Sequence, residues 1–319
     1  MTCVDDRRMA WALLSCAAAG PSVLLADLVT EIGVINAATR VATGQIPVGG
    51  QSQVTAADFE SAARAVGEVE RLGGRLVTPD DEEWPREALA CLPSGSDNPG
   101  DVRPLALWVR GNGSLHPLTA SAVGVVGARA STEYGNWVAT EIAGDLAEGG
   151  WTVVSGAALG IDARAHHGAM AAGGPTIAVM PCGLDRPYPN QHADLLDQIP
   201  EQGLVVSEYP PGVRVTRSKS LDRNRLIAAF SAGVVAVEAG LRSGTASTLR
   251  WAGRCGGLTF AVPGPVTSEA SKGCHRFIAE GDARLVTSAY DIIEALGGVA
   301  APELSCLRGV AAEVAEASR

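Results

Sequence analysis

The chain has 319 residues, 46% hydrophobic and 19% charged, which fits a folded protein with one large or two medium domains and a sizeable core. A net charge of −10 excludes a chain-wide electrostatic grip on nucleic acid, and 4% aromatic residues leave few stacking platforms, so any such grip must come from a local patch. Every apolar run falls short of the ~20 residues of a membrane helix, and no membrane partner is expected.

Residues 1–74 read as a small helical domain. A helix over residues 8–19 stops at Gly20-Pro21. Its apolar stretch looks like a signal-peptide core, but Asp5-Asp6-Arg7-Arg8 before it is neutral, so it reads as an ordinary first helix. A second helix over residues 22–33 carries Leu24, Leu25, Leu28 and Ile32 at helical spacing. Residues 39–55 read as a loop, and Thr55 to Asp58 cap a third helix that ends at Gly73-Gly74. A short strand begins at Arg75, residues 93–101 are turn-rich, and a strand from Pro104 ends in a tight Gly-Asn-Gly turn.

From Ala122 the pattern becomes regular. Strands are expected over 123–127, 152–155, 176–180, 204–207, 234–238 and 258–262, with helices between them over 134–149, 162–172, 191–199, 224–230, 245–254 and 271–280. The strands are continuous apolar runs, as in a parallel sheet covered on both faces. Alternation of this kind predicts an α/β fold with a doubly wound, mostly parallel sheet. Residues 299–319 read as a short tail.

Open α/β sheets bind ligands beyond the carboxyl ends of their strands. Gly127-Ala128-Arg129, Ser155-Gly156, Gly160-Ile161-Asp162, Cys182-Gly183, Ser207-Glu208, Glu238 and Ser243-Gly244-Thr245 all fall there. Small residues let the backbone approach a ligand, and helix amino-termini offer N–H groups to an anion. Together they outline one pocket for a phosphate-bearing ligand. Arg214, Arg217, Lys219, Arg223 and Arg225 form a basic cluster, read as a loop whose arginines follow successive phosphates. The phosphate-loop, dinucleotide and hydrolase-elbow motifs are absent, and no cofactor is expected. Asp162 and His166 share a helix face; they suit a helix-start cap and a structural histidine better than a catalytic or metal pair. Seven cysteines without a Cys-x-x-Cys pair argue against a disulfide framework or structural zinc and agree with a reducing cytoplasm; they read as small core residues.

The ordered motifs resemble the DNA processing protein A (DprA, or Smf) family. They are Val126-Gly-Ala-Arg129, Ser155-Gly-x-Ala-x-Gly-Ile-Asp162 with His166, Cys182-Gly-Leu-Asp185 with Tyr188-Pro189, Ser207-Glu-Tyr-Pro-Pro-Gly212, Arg223-Asn224-Arg225, Val237-Glu238, Arg242-Ser-Gly-Thr245 and Ala261-Val-Pro-Gly264. The resemblance spans residues 75–297. It implies an extended Rossmann-like domain over 75–298, preceded by a helical, SAM-like domain, with no winged helix in the tail. It implies a non-enzymatic homodimer that binds single-stranded DNA and loads the RecA recombinase during natural transformation. Arg129 and Arg223-Asn224-Arg225 would contact DNA phosphates, and Ser155, Gly156 and Gly160 would line the same pocket. The chain departs from the family pattern at Leu159 and Pro175, where cations are common, at Ser220-Leu221, where Phe-Pro is common, and at His275. Lost cations and a lost aromatic weaken a DNA site. A second expectation is a nucleotide-binding pocket or N-glycosidic hydrolase with Glu238 as acid or base. A third is a drifted member with weak DNA binding.

Overall fold

The computed structural model describes residues 3–46, 54–93 and 101–297. Four helices come first: α1 (Cys3–Ala18), α2 (Val23–Ile32), α3 (Val34–Ala42) and α4 (Phe59–Arg71). Then follow β1 (Gly74–Val77), α5 (Arg86–Leu89), β2 (Leu107–Arg110) and α6 (Leu115–Ala120). The regular part runs β3 (Ala122–Val126), α7 (Glu133–Glu148), β4 (Thr152–Ser155), α8 (Ile161–Ala171), β5 (Thr176–Met180), α9 (Ala193–Gln202) and β6 (Leu204–Ser207). It continues with α10 (Arg217–Ala229), β7 (Gly233–Ala236), α11 (Thr245–Arg254), β8 (Leu258–Ala261), α12 (Lys272–Ala279), β9 (Arg284–Leu285) and α13 (Ala289–Ala295).

Every residue of β3 to β7 is buried, which is why these runs are continuously apolar. The nine strands form one sheet in the order β1-β2-β6-β5-β4-β3-β7-β8-β9. The first two pairings are antiparallel and the rest parallel. The fold is thus the doubly wound, mostly parallel α/β sheet expected, with helices ahead of it. Sequence order runs outward in opposite directions from the β3–β7 pair, so the crevice for a ligand opens above those two strands.

Side-chain caps set several helix starts. Ser22 accepts from the Leu25 N–H, Thr132 from Gly135, and Asp58 with Ser61 and Ser288 with Asp291 form capping boxes. The amino-terminal helices bury Leu13, Leu14, Leu25 and Ala62 in a cluster with Leu76, Leu105 and Trp108 from the antiparallel end of the sheet. The buried Trp108 indole donates to Ser15 Oγ at 3.0 Å, and the Trp11 indole to Asp80 at 2.8 Å. This layer covers β1 and β2 and leaves the crevice above β3 and β7 clear.

Three expectations are corrected here. The loop expected over residues 39–55 begins as helix, because α3 continues to Ala42 after Gly33, at φ 79°, breaks it from α2. Four of the five residues of the basic cluster, Arg217, Lys219, Arg223 and Arg225, lie on α10, started by the Thr216 cap, and not on an extended loop; Arg214 precedes the helix. Cys91 and Cys255, expected as separate thiols, form a disulfide with Cα atoms 4.8 Å apart. The tail expected over 299–319 lies outside the described residues.

Candidate nucleic-acid interface

The crevice holds a cavity of about 260 Å³. Gly127, Ala128 and Arg129 reach it from the end of β3, Asp162 from the first turn of α8, Arg223 and Asn224 from α10, and Ser243, Gly244 and Thr245 from the start of α11. Nine of the residues expected at the site are therefore brought together from four segments.

Gly160 makes the first wall buildable. It precedes α8 at φ 80°, and a Cβ there would fall 2.3 Å from the Ala128 carbonyl oxygen, so only glycine lets the β3 and β4 loops close on each other. The Ile161 N–H then donates to Ala128 O at 3.2 Å. This junction presents Arg129 outward. Arg129 is exposed and makes no ion pair among the described residues.

Asp162 occupies the cradle that small-residue loops suggested for an anion. Its buried carboxylate accepts backbone N–H groups from Ala158, at 3.4 Å, and from Gly127 and Gly156. Burial pushes its carboxyl above the usual range, while the Arg223 charge and these donors pull the other way. Arg223 lies beneath the floor. Its Nη1 donates to Gly156 O at 2.8 Å and to Val179 O, and burial holds its guanidinium below its ordinary value. A Cβ on Gly156 would sit 2.5 Å from that guanidinium, so Gly156 supports the site from below.

The groups at the cavity left without partners among the described residues are at α11. Gly244 caps this helix with no side-chain bond, and the Ser243 hydroxyl is buried without a partner among the described residues. Positive helix-end potential, a free hydroxyl and Arg129 converge on one small cavity.

Four residues expected at the site, Arg225, Glu208, Ser155 and Glu238, stand elsewhere, as does His166, expected as a structural histidine. Arg225 is fully buried on the other side of α10; it donates to Glu208 Oε1 at 2.7 Å, Val102 O at 3.0 Å and Asp222 O at 3.1 Å. Arg225 and Glu208 thus form an interior ion pair away from the cavity. Ser155 is buried and donates to Val125 O at 2.6 Å across the sheet. Glu238 accepts from the Thr132 N–H at 2.9 Å and from Thr132 Oγ1 at 2.6 Å, so it anchors the start of α7. His166 is buried against Thr176, with Nδ1 and Oγ1 2.7 Å apart. Sequence reasoning missed Ile227 and Thr248 on the cavity wall. Thr248 lies three residues after Thr245, on the same face of α11, and that spacing was the available signal. Ser220 and Leu221, noted as departures, also line the wall.

Fold and site together define a doubly wound α/β protein with a cavity at the reversal of strand order. Residues 75–297 match the family described as DNA recombination-mediator protein A, and the chain belongs to that family. It is 47% identical over 302 residues to a Mycobacterium tuberculosis H37Rv protein provisionally named DNA processing protein DprA, covering 93% of this chain and 77% of that one. It is 39% identical over 229 residues to the Escherichia coli K12 protein Smf, covering 72% of this chain and 58% of that one. Among solved structures, Streptococcus pneumoniae DprA superposes with a TM-score of 0.66 at 31% identity, covering 85% of this chain and 86% of that one. Helicobacter pylori DNA processing protein A, described for its single-stranded DNA binding mode, superposes with a TM-score of 0.59 at 28% identity, covering 70% and 95%. No helix among the described residues is long and apolar enough to cross a membrane.

Proposed function

We propose that this chain binds single-stranded DNA at the strand-end cavity and, as a cytoplasmic homodimer, delivers it to the RecA recombinase during uptake of foreign DNA. The observation that carries this reading is the convergence of exposed Arg129 with the open start of α11 on one cavity. A backbone phosphate seats against Ser243, Gly244 and Thr245, and Arg129 pairs with it or with its neighbour. Exposed Arg214 and Arg217 lie on and just before the first turn of α10 and extend the positive rim. Arg223 and Asp162 set the shape of the floor and do not carry the charge contact. The chain acts by binding and not by catalysis. At about 260 Å³ the cavity lies just below the range that engulfs a small-molecule ligand, which favours a strand passing over it. The hydrolase reading loses its acid, because both Glu238 oxygens are already engaged by Thr132.

The test is fluorescence anisotropy of labelled oligo(dT) with the wild type and Arg129→Ala. Binding that weakens several-fold in the variant supports the reading. Equal affinity in the two proteins removes Arg129 from the interface, and no binding by the wild type at low salt overturns the reading altogether.

A further inference from the structure

Five of the seven cysteines fall on described side chains, and their surroundings divide them. Burial pushes the Cys16 thiol up to about 12, Cys182 to about 11 and Cys274 to about 12, so these three stay protonated and make poor nucleophiles. Cys91 and Cys255 differ in kind. Both line a cavity of about 410 Å³ on a face distinct from the proposed DNA site, with Glu87, His116 and Gly256 beside them. A dissolved oxidant or thiol therefore has a route to their sulfurs. Their Cα atoms are 4.8 Å apart, inside the span a disulfide bridges.

Their positions also make the bond consequential. Cys255 caps the carboxyl end of α11, and Cys91 follows α5. The bond joins points 164 residues apart in sequence. It restricts the unfolded chain strongly, since loop-closure entropy grows with loop length. The neighbouring Arg254–Asp101 ion pair, at 3.5 Å with Arg254 largely exposed, is a weak second tie at the same place.

We propose that Cys91 and Cys255 are a reversible thiol–disulfide site, closed by hydrogen peroxide and reopened by a dithiol, that clamps the carboxyl end of α11 to the segment after α5. In closing, one thiolate attacks the hydrogen peroxide, the O–O bond breaks, and a sulfenic acid and water form. The second sulfur then attacks the first, the S–O bond breaks, the S–S bond forms and a second water leaves. Two thiols lose two electrons and two protons, and the peroxide takes them up. In reopening, a dithiol thiolate attacks one sulfur, and its second thiol closes a cyclic disulfide while both cysteines regain protons.

The full chain is treated with hydrogen peroxide or with dithiothreitol, quenched in N-ethylmaleimide, and examined by peptide mass mapping and thermal melting. The expected result is a linked Cys91–Cys255 peptide after peroxide, absent after dithiothreitol, and a melting temperature higher by roughly 5–10 °C in the oxidised protein. Cys91→Ser and Cys255→Ser should each abolish the linked peptide and melt like the reduced wild type under both treatments. Maleimide on both Cys91 and Cys255 after peroxide overturns the proposal, as does a linkage through other cysteines or an unchanged melting temperature. The wild-type comparison decides the matter by itself should either variant fail to fold. It also stands apart from the DNA reading, because neither readout involves DNA.

Discussion

Arg129 and Arg225 carry the same charge and do opposite work. Arg129 is solvent-exposed beside the cavity, so Arg129→Ala should weaken oligo(dT) binding several-fold and leave the melting temperature within about 1 °C, as surface truncations do. Arg225 is fully buried with Glu208 at 2.7 Å. Arg225→Ala strands a buried carboxylate and should cost about 3–5 kcal/mol in urea unfolding. The protein that remains folded should still bind DNA, because Arg225 does not reach the cavity. His166 adds a pH dependence. The Thr176 hydroxyl proton is spent on Val153 O, so His166 Nδ1 must donate to Thr176, and the ring is neutral. Burial foremost, helped by the charges of His167, His192 and Arg223, lowers its pKa to about 3 from 6.5. Below pH 6.5 the unfolded chain takes up a proton that the folded chain refuses. This stability is complete above pH 6.5 and drains away as pH falls toward 3, at about 1.4 kcal/mol per pH unit. His166→Asn keeps a donor for Thr176, and unfolding free energies from pH 7 to 4.5 should flatten in that variant by about this slope.

At the scale of elements, the loops after β3 and β4 act as one unit because Gly160 joins them. Gly160→Ala forces a residue with a Cβ into φ 80° and onto the Ala128 and Arg129 carbonyls. The backbone conformation alone costs about 1–2 kcal/mol, and the loop must move to relieve the contact. Both stability and DNA affinity should fall, unlike in Arg129→Ala, and melting and anisotropy on the same sample separate the two. Glu238→Gln should loosen only the start of α7, at a cost of about 1–3 kcal/mol, and leave DNA affinity unchanged. The strands that carry these loops were legible in the sequence because burial on both faces demands continuous apolar runs. The cavity loops were legible because strand ends that approach a ligand or each other need small residues. The phase of α10 was not. Arg223 and Arg225 read as solvent-facing cations, and their partners Gly156, Val179, Glu208 and Val102 come from four other places in the chain. The Cys91–Cys255 pairing was hidden for the same reason: its two members are near each other only in three dimensions.

At the scale of the whole molecule, a net charge of −10 surrounds the cavity proposed as the DNA site. The two act over different ranges. In the proposed mode, contact between Arg129, the start of α11 and individual phosphates would be short-ranged and would release counterions, giving a slope of about −0.7 per neutralised phosphate in log affinity against log salt. The repulsion of the acidic body is long-ranged, and it is screened within about 10 Å at 0.1 M salt but reaches about 30 Å at 0.01 M. A site engaging on the order of three phosphates should therefore show a slope near −2 between about 0.1 and 0.3 M. The curve should then flatten below about 0.03 M, where the unscreened body opposes approach. Arg129→Ala should make the upper part shallower by about 0.7 and leave the flattening in place, because it removes one contact and hardly alters the total charge. A single straight line steeper than about −4 across the whole range would mean that phosphates track an extended basic surface instead of one cavity. That outcome would move the interface away from the crevice above β3 and β7.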